Sequence, residues 1–190
     1  MKKIFLFIAL IIAGYFVYSQ DKPQWEVRWN QGAEIKSSDG KFKFKFGGRI
    51  QFDLFGINQN ASLSDEFEAQ NGAEFRRLRW YTSGTLYGNI KFKLQFDFSN
   101  GDAGVKDAYI EVTKIPWIGN FRVGHFKQPF GLEMQTSSKY VLFMERGLTN
   151  AFTPERDLGL MLHNRHFKKR FAWYAGYFYP TGEGIFKIMY

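Results

Sequence analysis

Long stretches of the chain alternate apolar and polar residues with a period of two. From residue 41 the sequence runs KFKFKFGGRIQFDLF, which puts phenylalanine, isoleucine and leucine on one face and lysine, arginine and glutamine on the other. Two is the side-chain period of a β-strand, whereas a helix would scatter the phenylalanines around its axis. The alternation returns over residues 89–99. Both segments therefore predict β-strands with one apolar and one polar face.

About eight segments carry this strand pattern, and the chain shows no other internal repeat. We expect strands near residues 33–36, 41–57, 74–87, 89–99, 104–113, 120–127, 156–163 and 169–179. The tight Tyr87-Gly88-Asn89 connection predicts a β-hairpin between two of them. The expected fold class is therefore all-β and antiparallel.

The connections between these segments differ in length. Those at residues 38–40, 87–89 and 116–120 are short, that at 100–104 is intermediate, and those at 58–72 and 128–155 are long. Short turns at one end and long loops at the other are typical of a transmembrane β-barrel. We expect the short turns to face the periplasm, from which such a chain enters the membrane.

Two folds fit the alternation: a soluble β-sandwich with its polar face in water, and a barrel whose apolar face meets lipid. Strand length separates them, because strands in soluble sheets usually have about 5–6 residues. A membrane strand needs about 9–11 tilted residues, and the segments 41–57 and 89–99 are that long. The length favours an antiparallel transmembrane β-barrel.

The segment 128–155 is too long and too apolar for an ordinary exposed loop. Loops longer than about 12–15 residues are usually functional or disordered. Ser137 or Ser138 could cap a short helix that runs through Glu145. We expect this partly helical loop to fold into the barrel and narrow it. The alternative is a helix packed across the barrel mouth as a plug or lid.

The first nineteen residues have the layout of a secretory signal peptide. Lys2 and Lys3 precede an apolar run over residues 4–13, which is short for a membrane-spanning helix of roughly 20 residues. We therefore expect an exported chain with a signal peptide at residues 1–19 and one barrel domain over residues 20–190. It has no cysteine for disulfides, and its 22 phenylalanines suit a surface that faces lipid.

The chain is basic, with a formal net charge of +8. Loss of residues 1–19, which hold two lysines and no acid, leaves +6. In a cytoplasmic protein such a surplus would suggest nucleic acid, but an exported chain is not expected to meet it. The expected partners are small anions such as phosphate, together with outer-membrane lipid and the phosphates of lipopolysaccharide.

Strand parity collects basic side chains on the polar face, which becomes the interior if the apolar face meets lipid. The predicted pore-lining residues are Lys41, Lys43, Lys45, Arg49, Arg77, Arg79, Lys91 and Lys93. They outnumber the carboxylates of the same face, which are Asp53, Asp97, Asp107 and Glu111. Such a surplus concentrates anions in a water-filled channel. The alternative is that these cations only keep a polar face solvated, and a bulge at Gly47-Gly48 would shift the parity.

The sequence lacks the residue patterns of the common catalytic sites. Its three histidines have no cysteine nearby and no obvious carboxylate partner, so no metal site and no cofactor are expected. A serine-centred nucleophile elbow, a phosphate loop and a nucleotide fingerprint are also missing. We do not expect an enzyme.

Several short motifs occur together and in order over roughly residues 30–180. They are Gly47-Gly48-Arg49-Ile50-Gln51, Phe75-Arg76-Arg77-Leu78-Arg79, Lys106-Asp107-Ala108-Tyr109, GHFKQPFGLE at 124–133, Phe143-Met144-Glu145-Arg146 and PERDLG at 154–159. In these motifs the chain resembles the phosphate-selective porin O and P family. The resemblance implies an outer-membrane protein of a Gram-negative bacterium, with a sixteen-stranded and usually trimeric barrel. It also implies that the inward loop forms a constriction, with Lys139 and Arg146 near it.

The chain departs from this family in length, because it supplies only about eight of the expected sixteen strands. Eight strands leave an interior that side chains nearly fill, whereas sixteen leave an aqueous channel. We expect a truncated porin fragment, whose full-length form would be a homotrimer. The alternatives are a small non-channel barrel or sandwich that binds a ligand or surface partner, and a nonfunctional remnant.

Overall fold

The computed structural model describes residues 24–58, 71–99, 101–143, 145–166 and 170–180. Within them, nine antiparallel strands form one sheet in which each strand pairs with its neighbours along the chain. The strands are β1 (Trp25–Trp29), β2 (Ala33–Ser37), β3 (Lys43–Phe55), β4 (Gly72–Leu86), β5 (Ile90–Asp97), β6 (Gly104–Ile115), β7 (Gly119–Lys127), β8 (Arg156–His166) and β9 (Phe171–Tyr179). The predicted signal peptide lies outside the described residues.

Strands β2 to β9 coincide with the segments predicted from alternation, which confirms the all-β antiparallel class. β3, β4 and β6 have 13, 15 and 12 residues, more than strands of soluble sheets usually have. The prediction missed β1, although its five residues alternate, with Trp25, Val27 and Trp29 on one face. It also started β3 too early, because Lys41 lies in the turn before that strand.

The sheet is open in the part of the chain that the structure describes. β1 pairs there with β2, β9 pairs with β8, and no pairing joins β1 to β9. Each long strand is hydrogen-bonded to the next in sequence, which is the connectivity of an up-and-down barrel wall. The open sheet is therefore consistent with part of a β-barrel.

The two faces of the sheet differ in polarity, as the alternation predicts. One face carries large exposed apolar side chains, such as Ile50 at 71% and Leu54 at 74% of their full exposure. The other, called the polar face below, carries the predicted basic residues together with buried carboxylates such as Asp107 and Glu111. Exposing apolar surface to water costs roughly 25 cal/mol per Å². The apolar face therefore fits contact with an apolar phase.

Gly47 lets a tyrosine ring lie against the polar face. A Cβ atom at this position would approach the Tyr81 hydroxyl oxygen to 2.6 Å, so a larger residue would displace the ring. The register runs unbroken past this point, where Gly47 pairs with Tyr81 and Gly48 pairs with Trp80. The bulge that we considered at this glycine pair is absent.

The pairing of the described strands shifts at three other positions, one of them between β6 and β7 at Val112 and Ile115. Between β3 and β4, Gln51 pairs with Arg77 and Phe52 pairs with Phe75, so that Arg76 is an extra residue. Between β5 and β6 the register skips Lys106 in the same way. A bulge breaks the strict alternation of faces and re-aims the side chains beside it. Parity therefore fails for these two cations.

The carboxylate of Asp39 accepts two hydrogen bonds in the turn between β2 and β3. Ser37 Oγ donates to Asp39 Oδ1 at 2.5 Å, and the backbone N–H of Lys41 donates to the same oxygen at 3.0 Å. These donors favour the ionised carboxyl and lower the pKa of Asp39, with the serine hydroxyl having the largest effect. Gly40 has a φ of +69°, a left-handed conformation that glycine adopts without strain. This sequence therefore makes a tight hairpin.

The long loop predicted between β7 and β8 is present and partly helical. It contains helix α1 (Leu132–Gln135) and a 3-10 helix (Leu148–Phe152). The helix predicted from Ser137 or Ser138 through Glu145 is wrong, because the described residues of that stretch are not helical. Side chains of that stretch make contacts with the sheet, and tertiary contacts of this kind override weak helix propensity. No helix in the described ranges has the length and hydropathy needed to cross a membrane.

The loop folds back over the polar face. Its base is closed by the backbone N–H of Gln128, which donates to the carbonyl of Glu155 at 3.0 Å. Met134, in α1, is 2% exposed and is one of the few fully buried apolar side chains. This anchor places the middle of the loop opposite the arginines of β3 and β4.

Candidate functional site

A cavity of about 510 Å³ lies between the polar face and the long loop. Six of the residues predicted as pore-lining or constricting line it, namely Arg49, Arg77, Arg79, Lys93, Lys139 and Arg146. The volume is many times the roughly 30 Å³ that one water molecule occupies in the liquid. The cavity is therefore large enough to hold a small anion together with water.

The other four predicted residues lie away from this cavity. Lys43 Nζ is 2.9 Å from a carboxylate oxygen of the buried Glu34. Lys91 Nζ is 3.9 Å from Glu111, and Lys41 makes an exposed contact within its own turn. Lys45 pairs in register with Ser83, further along β3 towards the β2 hairpin. The predicted basic face therefore divides into residues at the cavity and residues beyond it.

Arg49 reaches from β3 to the loop. Its Nη1 donates to Ser138 Oγ at 2.7 Å, and its Nε is buried with no hydrogen-bond partner among the described residues. A hydroxyl is a neutral acceptor, so the contact orients the guanidinium without cancelling its charge. Arg49 therefore presents positive charge at the cavity together with an unused donor.

Arg77 repeats this arrangement on the next strand. Its Nη1 donates to the side-chain oxygen of Gln51 at 2.8 Å, again a neutral acceptor. In the described part of the chain, no salt bridge joins Arg49 or Arg77 to a carboxylate. Both guanidiniums are half-buried. An anion that reached them would find partly desolvated donors, which is where charge-assisted hydrogen bonds are strongest.

Two further cations of the cavity are paired. Arg79 Nε is 2.6 Å from Asp97 Oδ2, although Arg79 pairs in register with Arg49. Lys93 Nζ is 2.5 Å from Asp107 Oδ2. Their carboxylates are buried, so these charges are compensated within the sheet. The surplus of positive charge at the cavity therefore comes from Arg49 and Arg77 more than from Arg79 and Lys93.

The two bulges place cations on the polar face that strand parity would put on the other face. Arg76, the extra residue of β4, contacts Glu74 at 2.8 Å, Asp53 at 3.7 Å and Glu145 of the loop. Lys106, the extra residue of β6, lines the cavity. The sequence shows these two basic residues, but it contains no residue pattern that predicts the bulges at their positions. Parity alone could not have assigned either residue to this face.

Basic residues of β7 and β8 were also missed. Arg156 Nε is 2.8 Å from Asp107 Oδ1, and Arg122 reaches Glu111 Oε2 at 2.5 Å. His163 Nε2 lies 3.2 Å from the same glutamate oxygen. Arg122 alternates correctly with its neighbours in β7, so the parity argument could have found it had it been extended to that strand.

The loop is tied to itself and to the sheet mainly through neutral acceptors. Arg146 donates to the backbone carbonyls of Glu133 and Thr136, the latter at 2.8 Å. Lys127, at the end of β7, donates to the carbonyl of Met134. Lys139 lines the cavity beside Ser138. These carbonyl contacts hold the cations in position and leave their charge uncompensated.

The arrangement can attract and hold an anion. Half-buried guanidinium groups on adjacent strands, facing a loop that adds further cations, form donors on both sides of one cavity. Planar guanidinium forks suit oxyanions such as phosphate, which accept several hydrogen bonds at once. No group of three acidic or histidine side chains in the described residues is placed to hold a metal ion.

Comparison with known proteins adds independent observations. The model of a family described as phosphate-selective porin O and P matches residues 44–182. Porin O of Pseudomonas aeruginosa is 33% identical over 129 residues, which cover 63% of this chain and 28% of that protein. An uncharacterized protein of Caulobacter vibrioides is 31% identical over 136 residues, which cover 71% of this chain and 27% of that protein. The chain spans less than a third of the length of these curated relatives.

Proposed function

Because this chain belongs to the phosphate-selective porin O and P family, we propose that it forms part of the wall of a channel for small anions. Membership of the family implies an outer-membrane location in a Gram-negative bacterium. In this proposal the apolar face contacts lipid and the polar face borders water. Phosphate-like anions would pass between the arginines of β3 and β4 and the long loop.

The observation that carries this proposal is a pair of arginines that have no carboxylate partner among the described residues. Arg49 and Arg77 are held by a serine hydroxyl and a glutamine oxygen, so their orientation is fixed while their charge stays available. By contrast, Arg79, Lys93, Arg122 and Arg156 each contact a buried carboxylate. Solvation of a polar surface does not require that some cations be paired with carboxylates and others left unpaired. A path for anions does require a local surplus of positive charge.

Passage rather than trapping requires binding that is weak and repeated. Cations of the sheet and the loop face one cavity, so an oxyanion can exchange one guanidinium for the next without losing all its hydrogen bonds at once. Pairing of Arg79 with Asp97 lowers the total charge of the site and keeps it from holding an anion too tightly. This balance supports a diffusion channel rather than a storage site.

The proposal predicts anion selectivity that depends on Arg49. We expect the purified protein in planar bilayers to conduct chloride with a reversal potential that indicates anion preference, and phosphate to block that current. Arg49→Gln removes one charge-assisted hydrogen bond and should weaken the block about tenfold. Lys114→Gln, which removes an exposed charge away from the cavity, is the matched control and should change it little.

Three outcomes separate the possible functions. Anion-selective current that loses its phosphate block in Arg49→Gln supports the channel. Cation-selective current contradicts it. Phosphate binding in detergent without any current would identify a non-channel binding protein instead.

A further inference from the structure

A single ion pair joins the long loop to the sheet in the described part of the chain. Glu145 contacts the guanidinium of Arg76, and every other salt bridge there lies within the sheet and its turns. Other contacts between the loop and the sheet, such as Arg49 to Ser138, use neutral acceptors, except at the base of the loop, where Gln128 Nε2 donates to the Asp157 carboxylate at 2.7 Å. Glu145 is therefore the loop carboxylate placed against the cationic wall.

Arg76 does not depend on this contact for its charge balance. Glu74 and Asp53, both from the sheet, lie 2.8 and 3.7 Å from the same guanidinium. The Glu145 side chain is 63% exposed, whereas that of Arg76 is 18% exposed. Because exposed ion pairs contribute little, Glu145 can leave Arg76 at small cost. The arginine would keep two carboxylates.

Glu145 also lines the cavity that holds the unpaired arginines. It faces the same space as Arg49, Arg77 and Arg146. Arg77 directly follows Arg76 in the sequence, and the bulge at Arg76 brings both cations near the loop. A carboxylate at this position competes for the same donors as an incoming oxyanion, because both are anions with oxygen acceptors.

We propose that Glu145 is an internal competitor that sets how strongly the site holds a permeating oxyanion. With the cavity empty, the carboxylate rests on Arg76 at the edge of the arginine cluster. An arriving phosphate displaces it by repulsion and by competition for guanidinium donors, and it returns when the phosphate leaves. Weakened binding of this kind favours release and therefore flux. This inference rests on the proposed function.

The test compares Glu145→Gln with wild-type protein in two measurements. One is the inorganic phosphate concentration that half-blocks chloride current in planar bilayers, and the other is phosphate affinity in detergent by calorimetry. Glutamine keeps the size of the side chain and removes the competing charge. We expect both measurements to show about two- to fivefold stronger phosphate binding.

A matched control separates competition from a general change of charge. Glu155→Gln removes the same charge from the same loop and the same cavity, but Glu155 makes no ion pair among the described residues. We expect it to strengthen binding by less than half as much. In an Arg76→Gln background, which no longer holds Glu145 in place, the effect of Glu145→Gln should shrink towards that of the control.

The possible results distinguish a failure of the proposed role of Glu145 from a failure of the proposed channel. Unchanged phosphate binding in Glu145→Gln, an equal effect of Glu155→Gln, or an undiminished effect without Arg76 would overturn the competitor while leaving the channel intact. Wild-type protein that neither conducts anions nor binds phosphate would remove both proposals.

Discussion

The polar face contains two regions that use the same residue types and differ in charge balance. At the cavity, Arg49 and Arg77 are held by neutral acceptors. Across β5 to β8, each buried carboxylate collects cations instead. Asp107 lies between Lys93 and Arg156, and these three residues also line the cavity, while Glu111 contacts Arg122. In the first region no carboxylate offsets the two arginines within the described residues, whereas in the second each carboxylate offsets part of the positive charge around it.

This difference shows that counting basic residues does not locate an anion site. A cation that contacts a buried carboxylate is needed for the stability of the sheet, because removing either partner leaves an uncompensated charge. A cation held by a hydroxyl or an amide oxygen keeps its charge for a ligand. Mutations in the two regions should therefore separate stability from anion binding.

The largest effect is expected from Asp107→Asn in the paired region. The substitution leaves Lys93 and Arg156 close together without their shared carboxylate, in a place where Asp107 is only 6% exposed. We expect the free energy of unfolding to fall by about 3 kcal/mol. Urea unfolding in detergent micelles would measure it, and in any folded channel the phosphate block should become stronger, opposite to Arg49→Gln, because Lys93 and Arg156 also line the cavity. An Asp107→Asn protein as stable as wild type would contradict the distinction between paired and unpaired cations.

An intermediate effect on both properties is expected from Arg79→Gln. Arg79 lines the cavity and is also paired with Asp97, so it belongs to both regions. Asp97 would keep backbone N–H donors from Leu78 at 3.2 Å and Ser99 at 3.3 Å, which limits the loss of stability to about 1–2 kcal/mol.

The phosphate block provides the second measurement for Arg79→Gln. We expect it to weaken about threefold, less than in Arg49→Gln, because Asp97 already compensates most of the charge of Arg79. If Arg79→Gln changed the block as strongly as Arg49→Gln, pairing would not distinguish the two arginines.

Alternation was sufficient to predict the sheet, because a period of two assigns successive side chains to an apolar and a polar face. It predicted β2 to β9 and the polarity of the two faces. The prediction did not include β1, whose five residues also alternate, and alternation could not predict the absence of a helix between Ser138 and Glu145. The latter depends on contacts with the sheet, and no local pattern encodes them.

The candidate site was predicted only in part, for a reason that the bulges make clear. Parity assigns a face to every residue of a regular strand, and it placed Arg49, Arg77 and Arg79 correctly at one surface. It loses its phase at the extra residues Arg76 and Lys106. It also cannot show which cations meet a carboxylate, because the partners of Asp107 come from β5 and β8, far apart in sequence. Pairing, rather than position, separates the two regions.

The smallest effect is expected from Lys41→Gln, although strand parity included Lys41 among the pore-lining residues. Lys41 lies in the turn before β3, its side chain is 65% exposed, and its Nζ is 3.9 Å from an Asp39 oxygen. Exposed pairs contribute about 0–1 kcal/mol, so the free energy of unfolding should change by less than about 1 kcal/mol. The phosphate block should stay within about twofold of wild type, because salt screens an exposed charge beyond roughly 10 Å.

Lys43→Gln is the comparison variant for Lys41→Gln. It removes one of the cations that contact the buried Glu34, so it should lower the free energy of unfolding more than Lys41→Gln does. If Lys41→Gln weakened the block as much as Arg49→Gln, the total charge of the polar face would control anion preference. The distinction between paired and unpaired cations would then have no functional meaning.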